Sequence, residues 1–470
     1  MSLFSTQAAT PAYSFTSLGK DLLAGGLTAG IFYAEYTGLG AALGSVLPGK
    51  SGPALGIVMV IAAVIFTSML ALCLRQRVIA GTRAASLAVV IVGMRFASEN
   101  ATDISHRFDV VMAALATMLV IASATQLLGL LPRVQNYIYG SHIALRKGFI
   151  FATAVGIVVG LASTQLHSCL QVSPVATLFV VSLSTASAVA WSYWCANTRA
   201  SPAAWRKSLG SFSMLLGTGM AVAGYYLWVA DYAAGGACGT LGSVGLQPSQ
   251  LTQLIVSSQR LTIASAGLPV WAWLVLVAIG VLLGTVLLLE TLTTLRDSDD
   301  KIPKQEWSSQ IKMRALANLV SAPLGLACTS LSQSRTNTLV AANGATRAAV
   351  FFHGVALASI FLFLSTWIAK VPHLAVAVAL LLVAIQMIDS ELRDTVWREG
   401  YAPEARGTSI HTTWIFWAIL VCSLMAGTWL RYLGWGFGGG PLIALVLGAL
   451  LIALVSRRHD HELTVQARQA

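Results

Sequence analysis

The sequence predicts an all-α polytopic membrane protein with about fourteen transmembrane segments in a seven-plus-seven inverted repeat. Three observations carry that prediction. The composition is too apolar for a soluble chain, apolar runs of spanning length recur almost without a break, and two short segments, seven apart, open on polar residues. Hydrophobic residues fill 56% of the 470 positions and charged residues only 10%, with a mean hydropathy of +0.75. Soluble domains carry roughly a quarter of their residues as charges, so this chain lacks the side chains to solvate a surface. The net charge is +11, yet no Lys/Arg run exceeds a pair, as at Arg146-Lys147, Arg206-Lys207 and Arg457-Arg458. That pattern argues against nucleic acid and makes the excess a topology signal.

Residues 1–20 show no positive start, apolar core and small-residue cleavage site, so no signal peptide is expected and the run from Leu22 to Ser45 reads as a retained anchor. Spanning stretches are placed at 21–45, 53–74, 79–94, 108–131, 143–165, 174–195, 210–230, 269–295, 309–327, 333–345, 347–369, 373–389, 411–430 and 437–456. Between the seventh and eighth, residues 231–268 read as an outward, Gly- and Ser-rich connection with a surface helix in 250–263. A short tail, 457–470, follows the last. With the N-terminus inside, twenty-one of the 29 Lys and Arg fall in inward loops and six in outward loops. The bias predicts cytoplasmic termini and an even number of crossings in a plasma membrane, or an inner membrane if the source is bacterial. The six cysteines show no CxxC spacing and imply neither a metal site nor a disulfide framework. Cys169 and Cys238 both fall in outward loops and could pair, but nothing in their spacing predicts the bond.

The two short segments carry the functional signal. Residues 75–90 read RQRVIAGTRAASLAVV and residues 329–344 read TSLSQSRTNTLVAANG, each with a polar opening, a central arginine and an apolar continuation. Alone, either is an ordinary loop; in corresponding positions of two halves, such interrupted segments point to a transporter's binding site. Two acids lie deep in apolar runs, Glu35 in the first segment and Glu290 in the eighth. Arg83 follows Glu35 by 48 residues and Arg335 follows Glu290 by 45. A charge at a helix centre costs about 2.5–3.5 kcal/mol on insertion scales, so four without a task are improbable by cost.

Half-helix N-termini offer unpaired N–H groups and about half a positive charge each, a seat for an anion. Arg335 adds a permanent fork of donors, with Ser332, Ser334, Thr336, Thr82 and Ser86 as hydroxyl donors nearby. The bland alternatives are interfacial snorkelling for Arg83 and Arg335 and a structural or capping role for Glu290 near the inner end of its helix. Glu35 and Arg83 sit on segments that should cross near the site, and their opposite charges predict a mutually neutralising pair that leaves Arg335 free for the anion. Either glutamate is a candidate carrier of a coupled proton. Other patterns fail: Gly434-x-Gly436-x-x-Gly439 lacks a βαβ context, the histidines form no HExxH, and no nucleophile–base set can be nominated, so no enzyme, cofactor or metal is expected.

These residues resemble the SulP family of sulfate permeases and anion exchangers. The likeness rests on DLLAGGLTAG at 21–30, RQRVIAGTRAASLAV at 75–89, Glu290-Thr291-Leu292, ALANLVSAPLG at 315–325, SLSQSRTN at 330–337, NGATR at 343–347 and PHLAVAVALLLVAIQMID at 372–389. It covers Asp21 to about Val455, the membrane portion, without a counterpart of the cytoplasmic STAS domain. The resemblance implies a core domain (21–131 and 269–369) moving against a gate domain (143–230 and 373–456), elevator-like, in a homodimer. It also implies that Ser334-Arg335 is the anion site and Glu290 the eighth-helix glutamate. The chain departs from the pattern at Glu35-Tyr36, where the family reads Pro-Gln, and at Arg83, where it has a small or apolar residue. The expectation is secondary active transport of a small anion, sulfate before bicarbonate or a dicarboxylate, with a proton or sodium as coupling ion. A nucleobase–proton symporter of the same fold and a passive anion channel are the alternatives.

Overall fold

The computed structural model describes residues 15–49, 52–73, 78–134, 158, 163–196, 212–233, 238–241, 252–297, 306–342, 344 and 346–387. The expected segments at 411–430 and 437–456, the tail, and nearly all of 143–165 lie outside the described residues. The rest is helical in the expected order. α1 spans Phe15–Gly44, α2 Gly52–Cys73, α3 Ala84–Asn100 and α4 Arg107–Leu127, the last with a short 3-10 extension. α5 covers Ser163–Val172, α6 Pro174–Ala196, and α7 Ser213–Gly224, which runs on through a π turn at Tyr225–Val229. α8 (Ser258–Gly267) is the surface helix expected in the long connection, displaced toward its C-terminal end. α9 (Val270–Asp297), α10 (Trp307–Ser321), α11 (Gln333–Ala341), α12 (Arg347–Ile368) and α13 (His373–Met387) complete the second half.

Six of these are long and apolar enough to cross a membrane: 52–72, 107–130, 174–195, 213–232, 270–295 and 347–367. α1 is not among them despite its 30 residues, because glycines, threonines and Glu35 dilute its apolar content. Its glycines instead let other backbones come close. A Cβ on Gly40 would overlap Ile57 of α2, one on Gly56 would overlap Gly40 and Gly44, and one on Gly25 would lie 2.7 Å from Ala349 O and His353 N of α12. A mid-helix glycine costs about 1 kcal/mol against alanine; here close backbone packing offsets it.

α10 differs from the expected spanning segment 309–327. It ends after fifteen residues, buries Gln310, Arg314 and Asn318, and exits through Gly325, whose φ of +62° is readily adopted by glycine. Beyond it the chain runs extended into β2 (Ser330–Leu331), which pairs antiparallel with β1 (Ala80–Gly81), Ala80 opposite Leu331 and Gly81 opposite Ser330. This crossing joins the two short polar-opening segments. Asn318 fixes its approach, donating from Nδ2 to Thr329 O (3.0 Å) and Gln126 Oε1 (3.1 Å) and accepting from Thr329 N (2.8 Å).

α1, α2 and α12 pack together, as do α3, α4, α9 and α10, whereas α5, α6, α7 and α13 form their own group, which α1 touches through α7 and α13. Cys169 and Cys238 are disulfide-bonded, with Cα atoms 4.6 Å apart. Sequence spacing gave no such framework because the partners stand 69 residues apart and are brought together only by folding. The bond anchors a strap that pairs Thr240 with Pro372, donates Leu241 N to Val371 O (2.9 Å) and accepts His373 N at Gly239 O (3.0 Å), so it positions the start of α13.

Candidate functional site

The β1–β2 crossing sets two helix N-termini against each other. In the antiparallel register, the chain leaves β1 toward α3 at one end of the ladder and leaves β2 toward α11 at the other. The flanking residues Arg83 and Ser332 are extended, and neither side chain caps the helix it precedes. The first intrahelical acceptors serve Leu87 N (from Arg83 O) and Thr336 N (from Ser332 O), leaving the first-turn N–H groups of both helices without helical partners.

Arg335 lies in this crossing with 1% exposure. Its Nη2 donates to Glu35 Oε1 at 2.7 Å and to Thr82 O at 2.8 Å, and its Nε reaches Glu35 Oε2 at 3.4 Å. Cζ sits 4.5 Å from the ring centroid of Tyr36 and 5.8 Å from that of Phe32, the geometry of a cation over aromatic faces. Opposite is Gly81: a Cβ there would overlap Nη1. Nη1 itself is buried and has no hydrogen-bond partner among the described residues.

The expected Glu35–Arg83 pair is therefore corrected. Glu35 neutralises Arg335, and Arg83, half-buried at the start of α3, approaches Leu331 O at 3.5 Å. The reason is reach: α11 and α1 are in contact, and the side-chain-free face of Gly81 lets the guanidinium lie between them. Glu290, 5% exposed, accepts from Ser330 Oγ at 2.6 Å, and Thr294, one turn on, donates to Leu331 O at 3.2 Å. Glu290 thus faces β2 from within α9.

Of the proposed hydroxyl donors, Thr82 Oγ1 donates to Cys328 O (2.9 Å), and Thr336 Oγ1 donates to Ser332 O (2.7 Å) while accepting from Ile79 N (3.1 Å). Ser86 Oγ donates to Arg83 O at 3.1 Å. These three clasp the backbone. Ser332 and Ser334 have their hydroxyls 3.3 Å apart, one donating to the other, and Ser334 is exposed, so the pair keeps one O–H donor for a ligand.

Sequence reasoning missed Tyr36, His353, Gly81, Ser330 and Asn318. Tyr36, under the guanidinium, has its hydroxyl 3.1 Å from Nε2 of the fully buried His353 on α12. Only Tyr36 carried a usable signal, its adjacency to the membrane glutamate.

No family model matches the sequence, and no curated protein does so either. Solved structures match along nearly the whole chain. The transmembrane domain of a cyanobacterium bicarbonate transporter, BicA, aligns with a TM-score of 0.58 at 16% identity, covering 92% of this chain and 98% of that one. SLC26A9 aligns at 0.61 and 14% identity, covering 94% and 67%. The murine Slc26a9 anion transporter in its inward-facing state aligns at 0.58 and 13%, covering 97% and 74%. At such identities the likeness is one of fold, and the fold this chain carries is that of the SulP/SLC26 membrane domain.

Proposed function

We propose that the protein is a secondary active transporter that seats a small anion at the β1–β2 crossing. The observation that carries the reading is a fully buried guanidinium whose Nη1 lacks a hydrogen-bond partner among the described residues, held between two helix N-termini whose N-cap side chains make no capping bond. Such a place favours a negatively charged guest on electrostatic grounds and through its donors. Arg335, Ser334 and Ser332 bind the anion, with the first-turn amides of α3 and α11. Arg83 adds positive field from the far side. Thr82 and Thr336 hold the two segments together, and Glu35 and Glu290 balance charge or carry a coupled proton. Sulfate, bicarbonate and a dicarboxylate are the candidate cargoes, whereas a neutral nucleobase brings no charge to the two helix N-termini that face the crossing. One of the matched structures is a bicarbonate transporter and another an anion transporter, which agrees with the cargo proposed.

Alternating access is elevator-like in this reading. The packing of α1–α4 with α9–α12, apart from α5–α7 and α13, supports a core that carries the site and a gate that it slides along. Disulfides persist in oxidising compartments, so the Cys169–Cys238 bond supports the outward orientation given by the charge bias, with cytoplasmic termini. Homodimerisation and a proton or sodium as coupling ion belong to the same proposal.

Arg335→Gln tests it. Saturable anion uptake should disappear in proteoliposomes that hold equal amounts of folded wild type and variant, and uptake at the wild-type level sinks the assignment. Counterflow by the wild type separates a carrier from a passive channel, which shows no trans-stimulation.

A further inference from the structure

Among the described residues, the formal charges of the site cancel before any anion arrives. Arg335 is answered by Glu35 through two contacts, and the remaining pair, Arg83 and Glu290, flanks the same ladder, near Leu331 O and at Ser330 Oγ. What remains positive is the pair of helix N-termini, each equivalent to roughly half an elementary charge. Together they supply about one positive charge in a place where Arg335 is 1% exposed. A monoanion brings this site close to neutrality. A dianion leaves about one negative charge uncompensated and largely shielded from water, which is costly.

Resting on the anion-transport reading above, we infer that the cargo is monovalent, such as bicarbonate or another small oxyanion of single charge, and that Glu35 sets this valence. The order of preference given by sequence resemblance, sulfate first, is thereby reversed. Glu35 does so by permanent occupation: it takes the Nε and Nη2 edge of the guanidinium and leaves only Nη1 to a ligand. The anion then meets a single arginine donor instead of a bidentate fork suited to a dianion.

The test is competitive binding by the purified full chain, at fixed ionic strength and mildly alkaline pH. Bicarbonate, nitrate and formate are compared with sulfate and fumarate, for the wild type and for Glu35→Gln. The wild type should bind the monoanions about tenfold or more tighter. Glu35→Gln removes one negative charge across the guanidinium from the anion, and at a separation of about 6 Å and an effective dielectric of about 20 this should swing the ratio toward the dianions on the order of a hundredfold. Tighter sulfate binding by the wild type overturns the inference while leaving anion transport standing. An equal gain for both classes in Glu35→Gln overturns the role of Glu35, because it means that the anion displaces the carboxylate. Binding of none of the five removes the transport reading and this inference together. Should Glu35→Gln not fold, the wild-type ranking alone decides the valence, and Glu290→Gln makes the same change of charge from the other side of the ladder.

Discussion

Replacing Glu35 by glutamine removes the charge that answers a buried arginine, and its cost follows from the local geometry. Arg335 keeps its bond to Thr82 O and its seat on Tyr36 but loses a charge-assisted contact of 2.7 Å and a weaker one of 3.4 Å. Breaking a buried pair from one side costs about 3–5 kcal/mol. The lower end applies here, because the Glu35 side chain is 12% exposed and glutamine retains an acceptor oxygen. Glu35→Gln should therefore destabilise the protein by about 3 kcal/mol, and Arg335→Met by a similar amount. The double variant should cost clearly less than the sum, with a coupling of about 2 kcal/mol. Reversible unfolding in detergent gives all four corners of the cycle. A parallel cycle with Arg83→Met should show coupling below about 0.5 kcal/mol, the level of residues that do not touch. Coupling of Glu35 to Arg83 and none to Arg335 refutes the pairing and with it the charge balance argued above.

Gly81→Ala places a Cβ where Arg335 Nη1 lies. Because the obstacle is the end of a flexible side chain, stability should fall by only about 1 kcal/mol while anion affinity falls tenfold or more; unchanged affinity shows that the guanidinium position is irrelevant. Asn318→Ala leaves Thr329 N without its acceptor in a buried segment, and at about 1–3 kcal/mol per orphaned group the melting temperature should drop sharply, a wild-type melt being the contrary result. For the Cys169–Cys238 bond, closure of a loop of 69 residues corresponds to roughly 4 kcal/mol at most. Both residues are fully buried, so in denatured protein a maleimide should label Cys169 and Cys238 only after reduction, and labelling of unreduced protein at either position contradicts the bond.

The helical fold was legible because a bilayer leaves a chain little choice. With no water to satisfy backbone groups, helices must run long and apolar, and α2, α4, α6, α9 and α12 lie within a few residues of the stretches assigned from hydropathy. The two short segments were legible for the opposite reason: polar openings in an apolar context have to be met by something, and they are met by each other through β1 and β2. Less legible was the stretch 309–327, whose apolar content suited a crossing while its Gln310, Arg314 and Asn318 belong to a short helix that buries its polar face. Hydropathy sums over a window and does not register where around the helix each polar group points. Cys169 and Cys238 were legible as two outward cysteines that could pair, but not as a required bond, since pairing at long separation depends on the path of intervening helices.

The site shows where this kind of reading stops. Sequence supplied four membrane charges and the segments that hold them, and all four surround one crossing. It did not supply which glutamate answers which arginine, because that depends on azimuth and on the space between backbones. Gly81 decides the matter: without a Cβ, it leaves room for the Arg335 guanidinium against β1, within reach of Glu35 on α1 and over the ring of Tyr36. Arg83, on the same short segment as Gly81, is directed toward Leu331 O instead. A single glycine thus converts a site expected to hold a free arginine into one whose arginine is already paired. The distinction changes the chemistry, because an unpaired buried cation selects for anionic charge, whereas a paired one selects for the few donors still open. In the proposed reading, those donors are Nη1 of Arg335, one hydroxyl of the Ser332–Ser334 pair and the first-turn amides of α3 and α11, with Glu35 setting the valence they accept.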